Sequence, residues 1–172
     1  ALSSAASDVY KRQAWYLPEE RQITTKEQML DEMCATLGGR AAEDLFLNRI
    51  STGAMNDLER VTKQAYGMIA YLGMSDKLPN LCYYNNEEYS FNRPYSEKTA
   101  ELIDTEVKNM VNEQYERAKK ILSEHREGHN QLAQLLIDKE VIFAEDVERI
   151  FGKRPWASRS EEIMAAKESQ EA

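Results

Sequence analysis

Histidine and cysteine are scarce in this sequence, with two of each in 172 residues. Cys34 and Cys82 stand outside any C-x-x-C spacing, so there is no disulfide framework to read and a reducing compartment is the simpler expectation. His125 and His129 are the whole histidine supply, so no histidine-based triad can be completed elsewhere. Glycine (seven) and proline (four) are also few, which leaves room for long helices. No run approaches the roughly 18 apolar residues that a membrane span needs, and the chain is expected to be soluble by itself. Positive charge is in deficit: 22 basic against 30 acidic residues give a net charge of -8. That argues against nucleic-acid binding, which needs a concentrated basic face. Walker-type phosphate loops, GxGxxG and GxSxG are missing, so nucleotide binding and serine-hydrolase chemistry have no local support.

What is present is an ordinary globular mixture, 42% hydrophobic and 30% charged, with nine Tyr and seven Met suited to adaptable packing. The length fits one domain, or one and a piece. Residues 1–13 are small and polar, unlike the remainder of the chain, and lack the layout of a signal or transit peptide. They are expected to be a non-native leader. Residues 14–17 (AWYL), stopped by Pro18, read as a short strand, and residues 81–84 could pair with it.

The rest reads as helices. Thr24 with Glu27 forms a candidate capping box, followed by Leu30, Met33, Cys34 and Leu37 at helical spacing. Gly38-Gly39 interrupts, then Ala41, Ala42, Leu45 and Phe46 resume the pattern. Two glycines inside a helix cost about 1 kcal/mol each relative to alanine, so a closely approaching neighbour is expected there. After the loop ISTGAMND, Leu58, Val61, Ala65, Met68, Ile69 and Leu72 share one face, and Gly73 stops the helix. The longest helix runs from the N-cap candidate Ser96 to about Glu124, with Leu102, Ile103, Val107, Met110, Val111, Ala118, Ile121 and Leu122 at its period. Gly128 is expected to break it. A helix carrying Leu132, Leu135 and Leu136 comes next, then a short one carrying Val147, Ile150 and Phe151. Residues 157–172 read as a flexible charged tail. The expected fold class is mainly α with a small β element.

Three places could carry chemistry. In His125-Arg126-Glu127-Gly128-His129, two His at i and i+4 have zinc-ligand spacing, but Arg126 stands where a general-base Glu is needed. Glu127 lies about 100° further around a helix, so the plainer reading is a polar connection between helices. In STGAMNDLER, Asp57 falls in the first turn of a predicted helix, where an acid favours the helix dipole with or without a function. In LGGRAAED, Gly38, Gly39, Ala41 and Ala42 form a small-residue patch with Glu43 beside it.

Taken in order, AWYLPEERQITTKEQMLDEMCATLGGRAAEDLFL, STGAMNDLERVTKQAYGMIAYLGMSDKL and RPYSEKTAELIDTEV resemble the FtsH family of ATP-dependent zinc metalloproteases. The resemblance spans residues 14–156 and implies the C-terminal part of a helical zinc-peptidase domain. It implies a parent with membrane-spanning segments, an AAA+ ATPase module using ATP and Mg, and a zinc peptidase domain assembled as a homo-hexamer. Its substrates would be membrane and unfolded soluble polypeptides, and its peptidase domain would face the cytoplasm from a bacterial inner membrane. In this family two His of an HExxH helix and a later Asp hold the zinc. The TGAxxD pattern makes Asp57 that third ligand, and the GGRxAE pattern puts Glu43 beside the metal site, orienting ligands. The HExxH helix, expected before residues 14–17, is missing, and with it the catalytic Glu and both His ligands. HREGH comes after Asp57 and has the wrong order to replace it. The chain by itself is therefore expected to bind zinc weakly and to cleave nothing. One alternative is a non-catalytic helical oligomerisation module. Another, a stand-alone HxxxH metal protein, has the least support.

Overall fold

The computed structural model describes residues 23–83 and 94–153. The expected strand at 14–17, the leader and the tail lie outside them. The described residues fall into two compact units divided after Ser123.

The first unit is built on three helices. Helix α1 (Lys26–Leu47) begins at Thr25, whose hydroxyl accepts from the Gln28 N–H at 3.3 Å while the Gln28 side chain accepts from the Thr25 N–H at 3.0 Å. This capping box lies one residue later than the Thr24–Glu27 pair suggested by sequence; Thr25 precedes an amide that can complete the reciprocal bond. Gly38-Gly39 lies inside the helix, as expected, but the close neighbour expected at that point is not found at Gly38. A Cβ at Gly38 would meet no heavy atom within 4 Å, so nothing among the described residues demands glycine there. Asn48, in the left-handed region at φ 51°, ends the helix.

A single 3-10 turn, Thr52–Ala54, leads directly into α2 (Met55–Tyr66). The chain then widens into a π-helical turn, Gly67–Tyr71, marked by the Leu72 N–H donating to the Gly67 carbonyl at 3.0 Å. One residue too many per turn rotates the succeeding side chains by about 100° relative to an α-helix. That rotation explains two departures from the expected periodicity. Met68, Ile69 and Ala70 are all fully buried, whereas Leu72 is 54% exposed. Gly73, at φ +62°, then turns the chain, and a Cβ there would lie 2.9 Å from the Asn80 backbone nitrogen. Glycine is required on both counts.

The expected strand at 81–84 does not form over its described residues 81–83; the only β pairing among the described residues is an antiparallel bridge between Met74 and Pro79. The backbone here is satisfied differently: the Tyr83 N–H donates to the Ala70 carbonyl at 2.7 Å. Helix α3 (Glu97–Glu124) starts where expected, with the Ser96 hydroxyl accepting from the Thr99 N–H. Met33, Leu37, Val61, Ala65 and Met68 form one core cluster between α1 and α2, against which Val107, Met110 and Val111 of α3 pack. Ile69, Ala70, Leu78 and Ile103 form a second, and Cys34, Ala41 and Ala118 a third. Of the residues expected on buried faces, Leu58 and Ile121 are instead substantially exposed.

The second unit contains α4 (Arg126–Lys139) and α5 (Ala144–Phe151). The break before α4 falls at His125, with φ -107° and ψ 27°, not at Gly128, which sits inside the helix's first turn. Gly128 admits the Phe151 ring: a Cβ would come within 2.5 Å of it. Asp146 ties the hairpin together, accepting from Lys139 Nζ at 3.0 Å and from the Phe143 N–H at 3.2 Å. These bonds hold the Asp146 carboxyl below its ordinary range, with Lys139 the leading cause. Leu132 is the unit's buried apolar residue among those described, while Leu136, Val147 and Phe151, expected to face inward, are substantially exposed.

Candidate metal-site turn

The loop STGAMND is held by side chains from the last turns of α1. Glu43 accepts two bonds from Ser51: its Oε1 from the hydroxyl at 2.7 Å and its Oε2 from the backbone N–H at 3.0 Å. Arg40 Nη1 donates to the Ser51 carbonyl at 2.8 Å. The Ser51 hydroxyl oxygen also accepts from the Gly53 N–H at 3.2 Å, capping the 3-10 turn. Glu43's carboxyl is therefore held below the usual glutamate range, first by the Ser51 hydroxyl, then by its N–H, with Arg40 adding a smaller pull.

Ala54, 1% exposed, closes the turn onto the core, and α2 begins at the next residue. Asp57 falls in the first turn of α2, half-buried, where the unsatisfied N–H groups of the helix favour a negative charge. Glu43 thus reaches the turn that carries Asp57 through Ser51, the two acids being joined by a continuous path of hydrogen bonds and helical backbone.

A second polar network fixes the same end of α1. Asp44 Oδ2 accepts from the Tyr115 hydroxyl at 2.9 Å, and Lys119 Nζ pairs with the same oxygen at 3.2 Å. The Lys119 ammonium also lies 5.5 Å from the centre of the Tyr115 ring. The Asp44 carboxyl is lowered, chiefly by the Tyr115 hydroxyl, while the Tyr115 phenol is raised, chiefly by burial. Arg117 pairs with Asp31 at 2.6 Å nearer the start of α1. Polar ties from Asp31 and Asp44 therefore hold α1 to α3 toward both of its ends.

His125 and His129 lie in the other unit. His125 precedes α4 while His129 is inside it, so they are not two positions of one helix face as the spacing suggested. No group of three or more His, Cys, Asp or Glu among the described residues could hold a metal ion. Asp57 offers a carboxylate oxygen, a donor zinc accepts, so it fits as one ligand; a catalytic zinc site uses three. Arg40 and Ser51 were not singled out in the sequence. A Ser two residues before a Gly in a small-residue loop was the one local signal for Ser51.

A mainly helical structure, with a buttressed turn presenting one acid at a helix start, is the class in hand. The chain belongs to Peptidase family M41, whose model matches residues 11–150. It is 69% identical over 157 residues to an ATP-dependent zinc metalloprotease FtsH of Parabacteroides distasonis, covering 90% of this chain and 23% of that protein. It is 52% identical over 136 residues to the protein of the same name from Karelsulcia muelleri, covering 77% of this chain and 22% of that one. The mitochondrial ATP-dependent zinc metalloprotease FTSH 10 of Arabidopsis thaliana is 46% identical over 145 residues, or 84% of this chain and 18% of that protein. The chain thus spans about a fifth of the length of these curated relatives. No described helix is long and apolar enough to cross a membrane.

Proposed function

We propose that residues 14–156 are the C-terminal part of the peptidase domain of an ATP-dependent zinc metalloendopeptidase that degrades membrane and unfolded soluble proteins. Asp57 is its third zinc ligand, and Glu43 orients that ligand from α1. The observation that carries this reading is the turn itself. In a chain of a peptidase family whose relatives are named zinc metalloproteases, an acid stands at the start of α2 behind a turn whose first residue, Ser51, two α1 side chains hold by three hydrogen bonds.

The remaining ligands and the proton-transferring base come from residues other than those described. The chemistry supplied by the bound metal is Lewis-acid polarisation of the scissile carbonyl and acidification of a water molecule. Asp57 contributes negative charge and fixed geometry, leaving one coordination position for substrate and water. Because the 172-residue sequence carries no HExxH motif, the chain alone binds zinc weakly and cleaves nothing. ATP and Mg belong to a separate module of the full protein, which works as a homo-hexamer anchored in a bacterial inner membrane with the peptidase domain in the cytoplasm.

The test is zinc content and casein hydrolysis of the full-length protease carrying Asp57→Ala. Both are expected to fall by more than the roughly 10–100-fold that loss of an outer partner of a metal site brings. Near-normal hydrolysis with a full complement of zinc removes Asp57 from the site.

A second reading, a helical oligomerisation module, is favoured by apolar side chains around α4 and α5: Ile137 is 73% exposed, Phe143 67% and Val141 57%. Size-exclusion chromatography with metal analysis separates the two for this chain. A stable metal-free oligomer supports the module, and a poorly folded monomer supports the peptidase fragment.

A further inference from the structure

The hydrogen bonding of Ser51 is complete in a way its exposed position does not require. Its N–H and O–H both donate to Glu43, its hydroxyl oxygen accepts from Gly53, and its carbonyl accepts from Arg40. An exposed serine loses little by bonding to water, so four hydrogen bonds to three protein residues point to a constraint on position. Two of them, Glu43 and Arg40, lie 8 and 11 residues away along the chain, both in α1. What they hold is the extended N-cap residue from which a helical rod starts: one 3-10 turn over Thr52–Ala54, then α2 from Met55. From Ser51 to Asp57 this rod rises about 10 Å, and no residue between them has loop freedom. A shift at Ser51 is therefore transmitted to Asp57.

We propose that Ser51 and Arg40 are positioning residues for the metal: with Glu43 they form a clamp that sets where the Asp57 carboxylate sits. This rests on the reading of Asp57 as a zinc ligand. The clamp acts in two ways. The bidentate hold of Glu43 fixes the rotation of Ser51, because it engages backbone and side chain at once. The Arg40 bond fixes the direction in which the chain leaves Ser51, because it engages the carbonyl. Neither arginine nor serine touches the metal, and neither moves a proton.

The experiment measures zinc affinity of the full-length protease by competition with a chelator, with helical circular dichroism as a check on folding. Ser51→Ala removes the hydroxyl and its two bonds, and is expected to weaken zinc binding about 10-fold or more. Ser51→Thr keeps the hydroxyl and is expected to restore the affinity. Arg40→Ala frees the carbonyl while leaving both Glu43 bonds to Ser51 in place and gives a smaller loss, which repeats the test should Ser51→Ala fold poorly. The same Ser51→Ala change made in an Asp57→Ala background is expected to have no further effect, since there is then no carboxylate to position.

Three results overturn the inference, and they are distinguishable. Unchanged zinc affinity in Asp57→Ala removes the ligand reading and the clamp with it. Lost affinity in Asp57→Ala but unchanged affinity in both Ser51→Ala and Arg40→Ala removes the clamp alone. An equal loss from Ser51→Ala with and without Asp57 shows that Ser51 acts through general folding and not through the ligand.

Discussion

Gly73 and Gly38 make opposite demands on the backbone, and replacing each by alanine turns that contrast into a measurement. Gly73 sits at φ +62°, where a side chain costs about 1–2 kcal/mol in an L-residue. A Cβ there would also lie 2.9 Å from the Asn80 nitrogen and 3.1 Å from both the Asn80 Cα and the Leu81 nitrogen. These are backbone atoms, so no side chain can swing aside; the turn must move, at about 1–3 kcal/mol by analogy with overpacked cores. The expected cost of Gly73→Ala is therefore about 2–5 kcal/mol. Gly38 lies inside α1 with open space where its Cβ would be, so Gly38→Ala gains about 1 kcal/mol from helix propensity alone. The two variants should differ by at least about 3 kcal/mol, more than a hundredfold in the folded-to-unfolded ratio. Urea unfolding of the 172-residue chain, tracked by far-ultraviolet circular dichroism, reads this directly. Should Gly73→Ala prove no less stable than Gly38→Ala, the turn geometry assigned to residues 73–81 is wrong.

The packing and the charges set further expected outcomes. Met68 is fully buried between α1, α2 and α3, so Met68→Ala should cost about 2–5 kcal/mol in urea, and a loss well under 1 kcal/mol would mean the site is not closed. Glu106 is held below the ordinary glutamate value by Lys77 first and Ser75 second, and Asp44 by Tyr115 first and Lys119 second. A carboxylate with a lower pKa folded than unfolded stabilises the fold fully above the unfolded value, about 4, and loses that contribution as pH falls toward the folded value. The urea midpoint should thus stay level from pH 7 to about 5 and fall below about 4. Glu106→Gln should flatten part of that fall; an identical acid profile would rule Glu106 out as a contributor.

Much of the fold was readable because it rests on long periodic helices. The interval from Ser96 to Glu124 had both a cap and a sustained apolar period, and the structure returns that helix within a residue. The start of α1 was ambiguous between two adjacent threonines, each three residues before a side chain able to complete the box; only the bonds of Gln28 decide it. Gly38-Gly39 was read as a costly pair inside a helix, and cooperative bonding on either side carries α1 through it; Gly128 was read as the breaker, but the break falls at His125 and Gly128 lies in the first turn of α4. The π turn left no trace in composition, since Met68, Ile69 and Ala70 are ordinary core residues, buried in succession within it. At the candidate site, Asp57 was visible as an acid opening a helix and Glu43 as an acid beside a small-residue patch. Arg40 and Ser51 were not, because their bond joins positions 11 residues apart and depends on how the loop folds back on α1.

The wide turn at Gly67–Tyr71 has a consequence for how damage spreads through this unit. Just before it, Ala65 belongs to the cluster shared with Met33 and Leu37; within it, Met68 still does, but Ile69 and Ala70 belong to the cluster shared with Leu78 and Ile103. One short stretch of chain is therefore the hinge-pin of two separate hydrophobic assemblies. Deleting a single residue there would restore an ordinary helical pitch and, in the same stroke, swing one of those assemblies out of register with the other. Substitutions in the two clusters should accordingly influence each other through the backbone even where their side chains never meet.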